Sequence, residues 1–157
     1  HPDPAIAAAR ALAAQRDFLT CENTRCKNRL RNILLESCPE FESLVDLSDV
    51  SELRLMAVLG GPWSVADAGR RRAAALARGA RRGKVDALVG SVGSSTRPDA
   101  AAIAAEDRTV RLLARRIAEN AAELQAATAE ISALLERDET YRCLLTSRSS
   151  RLPCTNG

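Results

Sequence analysis

Apolar residues return along this chain at helical spacing. Ala5, Leu12, Leu19, Cys26 and Ile33 recur every seven residues, with Leu30 and Leu34 widening the stripe and Arg16, Glu22, Arg25, Arg29 and Glu36 lying off it. The pattern predicts a long first helix, opened by Asp3 as cap with Pro4 in the first turn and stopped after Ser37 by Pro39. A connector, Glu40 to Ser48, follows, with Phe41, Leu44, Val45 and Leu47 placed to dock on that helix. Asp49 and Glu52 have capping-box spacing ahead of a short helix that would bury Leu53, Leu55, Met56, Val58 and Leu59 and end at Gly60-Gly61-Pro62. Trp63 falls in that turn, where its ring can cover a helix junction and its N–H can stay near water. Ser64 and Asp67 form a second capping box, opening a helix through Ala77 with Gly79 and Gly83 at its end. Val85 to Val89 make a short apolar segment, and Gly90 to Thr96 a loop rich in glycine and serine.

The last helix carries the strongest pattern. It begins at Pro98-Asp99 with Thr96 as cap, and Ile103, Val110, Ile117, Leu124 and Ile131 follow seven apart without a break. Leu113, Asn120, Ala127 and Leu134 fall three positions after members of that row, giving the a and d positions of a coiled coil with β-branched residues prominent at a. At 1.5 Å per residue a helix from Pro98 to Asp138 would be roughly 60 Å long, longer than a domain of this size is wide. Part of its seam is therefore expected to meet a second copy of the chain, with Asn120 fixing register and partner number.

Composition narrows the fold class. Of the 157 residues, 46% are hydrophobic but only 3% aromatic, so Ala and Leu must fill the core; this favours helix on helix over a β-sandwich. The expected fold is an all-α helical bundle with long N- and C-terminal helices, the latter a coiled coil. Three regions are expected: a helical region over 1–97, the long helix over 98–140, and a short tail over 141–157. No stretch is long and apolar enough for a membrane span, and no secretory signal precedes the first helix, so no membrane and a cytoplasmic location are expected. Five scattered cysteines, Cys21, Cys26, Cys38, Cys143 and Cys154, fit reduced thiols better than a disulfide framework.

Candidate chemistry is sparse. The one histidine is His1, which leaves no Ser-His-Asp triad, no Cys-His pair on a structured element and no histidine-rich zinc site. Cys21 and Cys26 are five apart on a helix and point in different directions, and the glycine pairs lack a phosphate-loop ending. Paired carboxylates (Asp46 with Asp49, Glu106 with Asp107, Glu136 with Asp138 and Glu139) sit in caps, connectors or charged helix faces. No catalytic residue, metal or cofactor is expected.

Positive charge is less even than the net +3 suggests. Between Asp67 and Asp86 lie Arg70, Arg71, Arg72, Arg78, Arg81, Arg82 and Lys84 without an acid, leaving 16 basic against 20 acidic side chains elsewhere. Arg25, Lys27, Arg29 and Arg31 surround Asn28 in the first helix. Clustered arginine on helices is the footprint expected for a phosphate backbone; the competing reading is arginine as a solubilising helix former.

Several strings, Asn28-Arg-Leu-Arg-Asn-Ile-Leu34, Cys38-Pro-Glu-Phe-Glu42, the long heptad helix, Leu134-Leu-Glu-Arg-Asp138 and Cys143-Leu-Leu-Thr-Ser147, resemble the middle of an insertion-sequence transposase of the IS-one-ten family. The resemblance implies a DEDD recombinase with a RuvC-like N-terminal domain, a coiled-coil linker and a C-terminal transposase domain, acting with a structured guide RNA on DNA. The acidic tetrad and the nucleophilic serine of such proteins have no counterpart here. The family's Leu-Leu-Thr-Ser leads into Pro-Gly-Ile-Gly, whereas here Arg148 to Gly157 follows. The expectation is a non-catalytic transposase fragment that associates with itself and contacts DNA or guide RNA. A plain coiled-coil dimerisation module is the alternative, and an amphipathic lipid binder fits less well because interfacial aromatics are lacking.

Overall fold

The computed structural model describes residues 3–137, so the Leu-Leu-Thr-Ser string, Cys143, Cys154 and the expected tail over 141–157 lie outside the described residues. Among the described residues the chain is all-α: α1 (Pro4–Ser37), α2 (Pro39–Leu44), α3 (Val50–Leu59), α4 (Pro62–Leu76), α5 (Lys84–Gly90), a 3₁₀ turn (Ser91–Ser94) and α6 (Ala100–Arg137). The helices at the two ends are the long ones, as the heptad spacing predicts.

The chain divides into two compact units, residues 23–119 and residues 1–22 with the chain from 120 onward. The reason is packing: Val110, Leu113, Ala114 and Ile117 of α6 belong to the same core as Leu30 and Leu34 of α1, Phe41 of α2, Leu53, Leu55 and Met56 of α3, Val65 of α4 and Leu88 of α5. The first half of α6 is thus a core helix of the larger unit. Leucine and isoleucine side chains buried this fully contribute about 1.5–3 kcal/mol each, and with few aromatics the core depends on many of them.

Local signals set some helix ends, and distant side chains set others. Asp3 Oδ1 accepts from Ala5 N (2.9 Å) and Asp49 Oδ1 from Ser51 N (2.8 Å), capping α1 and α3 as expected. Pro39 ends α1 but is also the first residue of α2, a helix inside the expected connector, because a missing N–H is harmless there. Glu52 does not close a capping box on Asp49. Its Oε1 accepts from Asp46 N at 2.9 Å instead. Residue 64 does not cap α4 either: the helix starts at Pro62 with Gly61 before it, and the Ser64 hydroxyl donates to Asp107 Oδ2 on α6. At α6 the cap is Asp99, whose Oδ1 accepts from Ala102 N (2.8 Å), rather than Thr96.

Asp107 supplies the cap that Gly61 cannot. Its Oδ1 accepts from Gly61 N at 2.8 Å, tying the α3–α4 turn to α6. The approach is close enough to require glycine: Gly60 has φ +107°, and a β-carbon there would lie 2.4 Å from Asp107 Oδ1. Beside it, Glu106 Oε1 accepts from Ser37 Oγ at 2.8 Å, joining the end of α1 to α6.

Candidate nucleic-acid interface

The basic segment over 70–84 is shaped by three left-handed glycines. Gly69 (φ +84°) breaks α4, so that Arg70, Arg71 and Arg72 occupy the first turn of the stretch that follows. Cations are disfavoured at that end of a helix, so helix stability does not account for three arginines there. Gly79 (φ +95°) and Gly83 (φ +81°) then bend the chain into a turn that presents Arg78, Arg81 and Arg82 before α5. Ser51 Oγ donates to Arg78 O at 2.6 Å and fixes this turn against α3.

Six of the seven candidate side chains, Arg70, Arg71, Arg72, Arg78, Arg81 and Arg82, are exposed. Arg70 makes a loose contact with Asp86 (4.0 Å) between side chains 71% and 60% exposed, a pair of little energetic weight. The other five have no carboxylate within ion-pair distance among the described residues. Lys84 differs from these six. Its Nζ donates to Glu52 Oε2 at 3.1 Å, with the Glu52 side chain 2% exposed, and so it holds α5 to α3 and is not offered outward. On α1, Arg25, Asn28, Arg29 and Arg31 are all exposed, while Lys27 is half-buried and donates to Ser48 Oγ at 3.2 Å. Both basic groups lie within residues 23–119, which carry 17 basic against 12 acidic side chains.

Of the paired carboxylates, Asp49 caps α3, Asp46 accepts from Ser48 N at 2.9 Å, and Glu106 and Asp107 bind groups on α1 and in the α3–α4 turn, while Asp138 and Glu139 lie outside the described residues. Half-burial raises the Glu106 pKa above its ordinary value, and the neighbouring Asp107 adds to the rise while the Ser37 hydrogen bond opposes it. Asp67 takes a bidentate pair from Arg97 (3.0 and 2.7 Å), whose hydrogen bonds hold its carboxyl below the usual range. The Arg97 guanidinium also lies 5.7 Å from the centre of the Trp63 ring. Trp63 is more deeply placed than its turn position implies: it is 4% exposed, and its Nε1 is buried without a partner among the described residues. Among the described residues no three His, Cys, Asp or Glu side chains converge to hold a metal ion, and no helix is long and apolar enough to cross a membrane. Cys21 is exposed, Cys26 half-buried and Cys38 buried, all as free thiols.

The expected oligomer seam divides in two. Ile103, Val110, Leu113, Ile117 and Asn120 are buried within the single chain, which removes the need for a second copy to cover them. Leu124, Ile131 and Leu134 are half-buried. Asn120 Nδ2 is buried without a partner among the described residues. No family model, curated protein or solved structure matches the chain.

Proposed function

We propose that this chain is a non-catalytic part of a DNA transposase or recombinase that holds a nucleic-acid phosphate backbone through Arg70–Arg72, Arg78, Arg81 and Arg82, with Arg25, Asn28, Arg29 and Arg31 of α1 as a second contact. The observation that carries the reading is the set of exposed arginines over 71–82 with no carboxylate within ion-pair distance among the described residues. Such a set releases counterions on meeting phosphate, and it is placed by glycine-bent backbone rather than by a floppy tail. The transposase assignment rests on the resembling strings in the sequence, and duplex DNA and a structured guide RNA are the partners it implies.

The test is anisotropy titration of the chain against duplex DNA and hairpin RNA over a range of salt. Arg71, Arg72, Arg78, Arg81 and Arg82 changed together to Gln should weaken binding and flatten the log–log salt slope by about 0.9 for each phosphate that is no longer neutralised. Unchanged affinity and slope would overturn the proposal.

A second reading, a coiled-coil association module, is favoured by the half-buried row Leu124, Ile131 and Leu134 on α6. Ile131→Asp should then dissociate the oligomer in sedimentation while leaving the helical signal intact, and a wild-type chain that sediments as a monomer at high concentration excludes it. Ile117 cannot serve for this test, because it is fully buried in the chain's own core.

A further inference from the structure

The outward face of α1 carries a pattern different from the arginine turn. Arg25, Asn28, Arg29 and Asn32 stand at i, i+3, i+4 and i+7, so they share one side of the helix, and all four are exposed. The opposite side, through Leu30 and Leu34, is buried in the core and fixes which way this face looks. Leu35, 51% exposed, extends the row one turn past Asn32 and two past Asn28.

The two asparagines have no structural task. They lie inside α1, nine and five residues before its last residue, Ser37, where Asn is a poor helix former because its amide competes for the backbone. Neither amide bonds back to a carbonyl one turn earlier, as Thr20 Oγ1 does to Arg16 O (2.9 Å), and neither has a side-chain partner among the described residues. Each presents a donor and an acceptor side by side. No acid occurs between residues 23 and 35, while four basic side chains do; the exposed Glu36, one turn beyond Asn32, bounds the part of this face that can meet phosphate.

We propose that α1 enters the major groove of B-form DNA, with Asn28 and Asn32 reading base edges, Arg25 and Arg29 on the flanking phosphates or guanines, and Leu35 against a thymine methyl. This rests on the nucleic-acid reading above and adds sequence selection to it. An Asn amide is matched bidentately by adenine N7 and N6, and the exposed apolar group suits thymine, so the chosen site contains A·T pairs. From Arg25 to Asn32 the helix rises about 10 Å, roughly three base pairs of B-DNA. Duplex RNA is the poorer fit, because its major groove is too deep and narrow for a helix face to read.

The experiment is selection from a pool of randomised DNA duplexes, followed by anisotropy on the winning and scrambled sites. The wild-type chain should enrich a short motif containing A·T pairs and prefer it over the scrambled duplex by about tenfold or more. Asn28→Ala with Asn32→Ala, which favours the helix and so should fold, is expected to bring that ratio close to one without changing the salt slope, since neither substitution alters charge. If the wild-type chain binds duplexes but enriches no sequence, if the double variant enriches the same motif, or if only RNA is bound, the groove-reading proposal fails and backbone contact stands. If the wild-type chain binds no nucleic acid even at low salt, both proposals fail.

Discussion

Replacing Lys84 by Met separates a structural charge from the basic face in which sequence spacing places it. The Lys84 ammonium, on a side chain 15% exposed, is 3.1 Å from a Glu52 carboxylate that is 2% exposed. Once Lys84 is gone, that carboxylate keeps, among the described residues, the 2.9 Å bond from Asp46 N. Breaking a fully buried pair from one side costs 3–5 kcal/mol; water can reach the lysine end here, so about 2–4 kcal/mol is expected. Glu52→Gln together with Lys84→Met removes both charges and keeps an oxygen for Asp46 N, so the double variant should return to within about 1 kcal/mol of wild type. Urea titrations followed by circular dichroism measure all three chains, and the salt slope of DNA binding should be the same for Lys84→Met as for wild type. A Lys84→Met cost below about 0.5 kcal/mol, the range of surface substitutions, or a double variant as weak as the single one, would refute the argument.

Further outcomes follow from the same contacts. Gly60→Ala must place a β-carbon on Asp107 at φ +107°, and should destabilise the chain by more than about 2 kcal/mol in urea or thermal unfolding. Glu106 has a raised pKa, so the folded state holds its proton more tightly than the unfolded state does. Its contribution is therefore complete below the ordinary carboxylate range and is lost as pH rises through the folded value. Glu106→Gln, which still accepts from Ser37, should stabilise the chain at pH 7 and lose that advantage in acid, as unfolding measured at both ends of the range will register. Asn120→Leu removes a buried amide whose Nδ2 is unpartnered among the described residues and should raise stability by about 1–3 kcal/mol, read as an upward shift in the urea midpoint.

The parts of the fold that local chemistry dictates were legible in the sequence. The ends of α1 and α3 follow from Asp3, Pro39, Asp49 and Gly60, and the length of α6 from its unbroken heptads. What misled were side chains whose partners lie far along the chain. Ser64 has the spacing of a capping box but bonds to Asp107, 43 positions away, and Glu52 is engaged by Lys84, 32 positions on. The heptad row has the same ambiguity: apolar periodicity shows that a helix face is buried and is silent on what buries it, so the row from Ile103 to Asn120 reads alike whether covered by a second copy or by the chain itself. In the candidate interface, Lys84 could not be told from its arginine neighbours by spacing. Asn32 and Leu35 gained meaning only once α1 was seen to turn that side outward.

The basic surface owes as much to where the acids go as to how many arginines there are. In residues 23–119 Glu52 and Asp107 are buried, Glu106 is half-buried, and Asp46, Asp49 and Asp99 accept from backbone N–H groups. Asp67 is held by Arg97. None of these acids, nor any other described carboxylate, lies within ion-pair distance of Arg71, Arg72, Arg78, Arg81 or Arg82. Solubility alone would be served by interspersed signs. Ala74 and Ala75 are exposed on α4, one turn after Arg70 and Arg71, and are natural places for the acids this face lacks. Ala74→Glu with Ala75→Glu should leave stability within about 1 kcal/mol, since both sites are exposed and their i,i+4 ion pairs with Arg70 and Arg71 offset part of the cost of acids in the last turn of α4. It should nevertheless weaken binding to DNA at low salt and flatten its salt dependence, because an arginine paired with a new carboxylate neutralises fewer phosphates and so frees fewer of the counterions condensed on the DNA. Undiminished binding by a stably folded double variant would mean that the uncancelled charge of this turn is not what meets the nucleic acid.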